Sequence, residues 1–176
     1  MASTLLYLSI YFDNKLVAGE GTAKDYENRV EIESFSWGLT AKHERGQGKR
    51  VVTAVKPDML VLKKFFDKAS ISLLKAVKNA EGQKVPKPFS TARLQFADMV
   101  RVAGQPPKKI MELVLKDGYV EKVTLDAGAT GKGMSVRETV SLSFTKLDIL
   151  YYPKVLAKDT RGPACIFQTS QPCVID

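Results

Sequence analysis

Histidine is almost missing from this chain of 176 residues: His43 is the only one, and it stands beside Glu44 in a basic segment. General base chemistry needs a titrating side chain oriented by a partner and held near a substrate. No Ser-His-Asp, Cys-His or metal-ligating set assembles around His43, so neither enzyme activity nor a metal or cofactor is expected. Cysteine is scarce as well. Cys165 and Cys173 form a C-x7-C pair that matches no zinc spacing and reads as two reduced thiols. Long hydrophobic runs are lacking, which excludes a membrane-spanning helix and leaves no expectation of membrane insertion. The first twelve residues carry no basic n-region and no small-residue cleavage site. They do not read as a secretory signal, so residence in the cytoplasm, or export by a route that needs no signal peptide, is expected.

A phosphate-binding loop is suggested by Gly128-Ala129-Thr130-Gly131-Lys132-Gly133 and then excluded. Such a loop needs a glycine where Asp126 stands, Ser or Thr where Gly133 stands, and a helix afterwards. A flexible turn before a strand is the better account.

What is present is ordinary globular composition, 44% hydrophobic and 26% charged, enough for one domain with a real core. The net charge of +8 is uneven. Up to Phe35, Lys15, Lys24 and Arg29 face Asp13, Glu20, Asp25, Glu27, Glu31 and Glu33. Residues 42–93 hold thirteen basic and four acidic side chains. One end of the molecule therefore has the charge to attract the other end of a neighbouring copy. A basic β-barrel also suits nucleic acid, but no aromatic row interleaved with basic residues is apparent, and Phe65 and Phe66 read as core. Nucleic acid is not expected.

Alternation with period two dominates and argues for half-buried strands. Val140, Leu142 and Phe144 alternate with Thr139, Ser141, Ser143 and Thr145, and past Lys146 the parity flips to Leu147 and Ile149. That flip predicts a bulge or a strand that changes faces. Ala92, Leu94, Phe96, Val100 and Val102 predict a second strand. Residues 109–115 and 119–125 around Asp117-Gly118 predict a hairpin. Segments 5–12, 30–37 and 51–62 supply more strands, the last interrupted by Pro57. One helix is predicted, capped by Asp67 or Ser70, with apolar rows Ile71, Leu74, Val77 and Leu73, Ala76, Ala80, ending at Gly82. Residues 40–50 read as a long exposed loop.

Val30-Glu31-Ile32-Glu33-Ser34-Phe35-Ser36-Trp37-Gly38 resembles the Ile-x-Val-x-Ser-Phe-x-Trp-Gly signature of the Hcp (haemolysin co-regulated protein) family, the tube protein of type VI secretion systems. Gly19-Glu20-Gly21 with Asp25 is similar to that family's Gly-Glu-Ser and Asp pattern, with Gly21 in place of serine and Tyr26 where a histidine is common. Asp67-Lys68-Ala69-Ser70 with Leu73 and Leu74 resembles its helix start. The run from Glu138 to Phe144, then Lys146 and Tyr151, resembles its late strand. Ser34, Phe35, Trp37, Gly38, Glu138 and Phe144 are thus signature positions, read as structural. Residues 153–176 depart from the family, carrying Val155, Leu156, Ile166, Phe167, Val174 and Ile175 instead of a short polar end.

The resemblance implies a mainly β fold, a two-sheet β-barrel or sandwich with one α-helix, in residues 1–152, with 153–176 as a C-terminal tail. It implies hexameric rings that stack into an inner tube expelled by a contractile sheath. The partners implied are other copies of the chain, the spike, the sheath and effector proteins carried in the lumen. The secretion implied carries the tube from the bacterial cytoplasm to the extracellular space or a target cell. Lys42, His43, Glu44, Arg45, Lys49 and Arg50 are the candidate ring-stacking positions. Thr139, Ser141, Ser143 and Thr145 are a candidate lumen wall, with the exterior equally open. A tail-tube subunit of a phage-like or extracellular contractile particle and a nucleic-acid-binding barrel are the alternatives.

Overall fold

Leu8 and Ile10 turn inward from β1 (Thr4–Phe12), while Tyr7, Ser9 and Tyr11 take the other face, as a strand requires. The structure is a computed structural model and describes residues 4–46, 49–77, 87–98, 107–130, 133–155, 160–161 and 165–169. After β1 come β2 (Lys15–Leu16), β3 (Val30–Glu31), β4 (Ser34–Ser36), β5 (Leu39–Gly46), β6 (Lys49–Pro57) and β7 (Leu60–Phe65). The helix α1 (Lys68–Val77) precedes β8 (Phe89–Asp98), β9 (Lys108–Gly118), β10 (Val120–Thr130), β11 (Gly133–Leu142) and β12 (Lys146–Tyr151). The short β13 (Lys154–Val155), β14 (Thr160–Arg161) and β15 (Cys165–Thr169) finish the chain.

The large sheet runs β15-β12-β9-β8-β1-β2, with β3 also on β1; the small sheet runs β10-β11-β7-β4. All pairs are antiparallel. The core lies between these two layers. Leu8, Leu94, Leu113, Leu115 and Leu147 come from the large sheet, and Leu60, Leu62, Val140 and Leu142 from the small one. Leu73 and Ala76 of α1 complete the same cluster. Burying each leucine is worth about 1.5–3 kcal/mol, so these layers hold by apolar contact. This is the mainly β, two-sheet, one-helix fold expected.

Several local expectations change. Asp117-Gly118 does not make a hairpin, because β9 pairs in the large sheet and β10 in the small one. The chain changes layers here, with Asp117 at φ 50°. A Cβ on Gly118 would lie 1.9 Å from the Ser143 carbonyl oxygen, so the glycine answers a close backbone approach. The parity flip near Lys146 has the same cause: β11 ends in the small sheet and β12 begins in the large one. Segment 30–37 is likewise two strands in two layers. Ile32 N–H donates to Leu6 O at 2.8 Å and Glu33 N–H to Lys63 O at 2.8 Å, so adjacent residues bond to opposite sheets.

Segment 51–62 breaks after Pro57, as a proline in a strand pattern allows. In β8 the register shifts between Phe96 and Ala97, turning Ala97 against Tyr7 and Tyr26; Val100 and Val102 lie outside the described residues. The helix is capped at Asp67, whose Oδ1 accepts from Ala69 N–H at 2.9 Å while Asp67 N–H donates to Ser70 Oγ at 2.9 Å. Leu73 is buried, but Ile71 of the other expected row is 49% exposed; Ala80 and Gly82 lie outside the described residues. Strand β10 runs to Thr130 and β11 starts at Gly133, with residues 131–132 outside. From the tail, Cys165–Thr169 adds an edge strand to β12.

Candidate assembly surfaces

Residues 40–46 and 49–50 are strand and not loop, with 47–48 outside the described residues. Leu39–Gly46 and Lys49–Pro57 pair as a two-stranded arm that joins neither main sheet. Exposed Ala41, Lys42 and His43 carry no burial alternation, which hid the strand in the sequence. At the base, Asp58 N–H donates to Gly38 O at 3.0 Å and Leu39 opposes Pro57. A Cβ on Gly38 would come 2.6 Å from Asp58 Oδ2. Phe35 packs edge-on against Phe96 at 5.0 Å, and Trp37 leans on the core. Ser34 to Gly38 therefore follow the crossing at residues 32–33, add β4 to the small sheet and launch the arm.

Along the arm the register sets Lys42 opposite Ala54, His43 opposite Val52, Glu44 opposite Val51, Arg45 opposite Arg50 and Gly46 opposite Lys49. The six candidate positions thus fall together on one projection, with Arg45, Lys49 and Arg50 at its distal end.

The other signature positions are internal. Phe144 is buried in the core. Glu138 is 1% exposed, and its Oε1 accepts from Lys64 Nζ at 2.6 Å. Lys64 is also 1% exposed, and its Nζ lies within hydrogen-bond distance of Asp67 Oδ1 at 2.8 Å, Phe65 O at 2.7 Å and Ser70 Oγ at 3.0 Å, so its three N–H donors are fully used. This knot ties β7, β11 and the start of α1 together. Sequence reasoning missed it, and missed the consequence for its neighbours: Phe65 and Phe66, expected in the core, are 51% and 40% exposed. With Leu60, Leu62 and Lys64 facing in, strand alternation turns Phe65 out, where the Arg137 guanidinium lies 5.1 Å from its ring.

The hydroxyl row divides. Ser141 and Ser143 are buried and Thr145 is exposed. Ser143 Oγ accepts from Tyr119 N–H at 3.2 Å and donates to Glu121, so it belongs to the crossing between layers and to no open wall.

Below the large sheet's outer face, Tyr26 stacks on Tyr7 at 4.7 Å. Burial pushes both phenols above the ordinary tyrosine range, with Glu31 adding to it at Tyr7 and Glu112 at Tyr26. Among the described residues no group of His, Cys, Asp and Glu gathers as a metal site, and no helix is long and apolar enough to cross a membrane. Cys165 is a free, exposed thiol on β15, and Cys173 lies outside the described residues.

Residues 7–151 match the family described as "Type VI secretion system effector, Hcp". Among solved structures the chain is similar to a type six secretion system protein, with 20% identity, a TM-score of 0.74 and 96% of each chain covered. It is similar to Hcp1 from Salmonella typhimurium, with 23% identity, a TM-score of 0.69, and 97% of this chain and 95% of that one covered. Hcp1 from the E. coli EAEC 042 pathovar gives 18% identity, a TM-score of 0.69, and coverage of 96% and 99%. No curated protein matches the sequence.

Proposed function

Since this chain belongs to the Hcp family of type VI secretion proteins, we propose that six copies close into a ring and that rings stack through the β5–β6 arm into the inner tube of the machine. The observation that carries this reading is the arm itself, a basic hairpin that pairs with neither sheet of its own subunit. A two-stranded ribbon is marginal alone in water, so an arm of this length gains most from a surface supplied by another copy. The acidic side chains Glu20, Asp25, Glu27, Glu31 and Glu33 are exposed and give the opposite charge that such an arm would meet on the next ring.

Within a ring, edge strands offer the second set of contacts. Among the described residues β15 and β10 stand at the ends of the large and small sheets, where head-to-tail association around a closed rotation would add a neighbour's strand. The role is structural: sheath and spike would bear on the tube, small effectors would travel in its lumen, and the tube would leave the cytoplasm with them. Arg45, Lys49 and Arg50 act in this scheme as anchors and take part in no chemistry.

Electron microscopy and light scattering of the purified protein test it. Annular particles of six copies are the expected result, and a strict monomer at high concentration and every ionic strength overturns the reading. Arg45→Glu, Lys49→Glu and Arg50→Glu together should leave rings intact and shorten or abolish stacks. Unchanged tube length removes the arm from stacking.

A further inference from the structure

A second feature stands apart from ring and arm. On the outer face of the large sheet a hollow of about 460 Å³ is lined by Ser9 and Tyr11 of β1, Thr91, Arg93 and Gln95 of β8, and Arg29. Arg29 Nη1 donates to the Tyr11 hydroxyl at 3.2 Å, and Arg93 Nη1 reaches Glu112 Oε1 at a long 3.4 Å. Glu112 is already served by Lys109 at 2.9 Å and Gln95 at 3.2 Å. Each guanidinium carries five N–H donors, so these single bonds leave most of that capacity unspent among the described residues. Ser9 is 1% exposed and its hydroxyl has no hydrogen-bond partner, an arrangement that native structures rarely leave without reason. No carboxylate lines the hollow, and Glu112 behind it pairs with Arg93 and Lys109.

We infer that this hollow is an oxyanion-recognition site. Two planar guanidinium forks match the oxygens of a phosphate or of paired carboxylates, where a lysine would offer only a point charge. Ser9, Tyr11 and Thr91 add hydroxyls, which fit a ligand with several acceptor oxygens. The same chemistry serves a free phosphate-type ion and the acidic side chains of a docking protein segment.

Calorimetric titration of the whole protein at low ionic strength, with inorganic phosphate and separately with an oligoglutamate peptide, tests the site against sodium chloride of equal ionic strength. One saturable site per chain is expected for at least one probe. Arg29→Gln and Arg93→Gln should each weaken it about tenfold or more, the size set by losing a charge-assisted hydrogen bond. Lys122→Gln, exposed on β10 of the other sheet, should leave it unchanged and so exclude diffuse attraction to a basic protein. Binding of phosphate alone assigns the site to a free ion, and binding of the peptide assigns it to an acidic partner; both sustain the inference. Absence of saturable binding to either probe, or affinity in both arginine variants equal to that of the parent protein, overturns it. Circular dichroism checks that each variant is folded, and because Arg29 and Arg93 lie on different elements, either variant alone decides the matter.

Discussion

Lys64 and Glu138, 74 residues apart, meet where no water reaches. A buried lysine is tolerated only with a close counter-charge, and here Glu138 and Asp67 supply two carboxylates for one ammonium. Removing the cation leaves two buried negative groups, whereas neutralising Glu138 leaves a balanced Lys64–Asp67 pair. Lys64→Met is therefore expected to cost about 3–5 kcal/mol, and Glu138→Gln less than about 2 kcal/mol, in urea unfolding; equal losses would contradict this account. Gly118→Ala sets a backbone clash against Ser143 and should cost at least about 1–3 kcal/mol. Gly128→Ala meets nothing within 4 Å and should be close to neutral. Little of this was legible beforehand. The alternation Leu60, Leu62, Lys64 did point the lysine inward, but hydrophobicity pointed the other way, and the deciding partner came from a distant strand.

Elements were read better than their pairings. Period-two patterns marked β1, β8 and β11, and Asp67 with Ser70 marked the start of α1, because in each case the needed information is local. Strand partners are not local, so Asp117-Gly118 imitated a hairpin while feeding two different layers. The arm's first strand escaped detection for a related reason: its described residues Leu39 to His43 are exposed and carry no buried alternation, whereas most of its second strand fell within the expected strand 51–62. Within α1, Leu73→Ala is expected to destabilise by about 2–5 kcal/mol, as for other core leucines; Ile71→Ala, at an exposed position, should cost well under half of that. The Tyr7–Tyr26 stack adds a pH dependence. Burial raises both phenols above their ordinary value of 10.0, so the folded state favours the neutral form. That stability is complete below pH 10 and is lost as pH climbs through the raised values. The melting temperature should fall in that alkaline range, in step with tyrosinate absorbance, and Tyr26→Phe should flatten the fall.

For the whole molecule, charge dominates. A net +8 spread as an acidic start and a basic middle predicts association between copies that weakens with salt, since screening reaches about 10 Å at 0.1 M. Tube length measured by electron microscopy should drop as sodium chloride rises, while rings held by sheet edges and apolar contact persist. The family was legible in Ser34-Phe35-Ser36-Trp37-Gly38, because that stretch must pair with β7, set Phe35 and Trp37 against the core and launch the arm within five residues. The same trait governs how a subunit bears load. At residues 32–33, at Tyr119 and at 143–145 the backbone itself passes from one layer to the other, and the last two crossings are joined by the Ser143 N–H to Tyr119 O bond of 3.0 Å. A thrust delivered to one layer is therefore handed over through covalent chain at these places, and shearing the layers apart would mean tearing strands from their neighbours before side chains could slide.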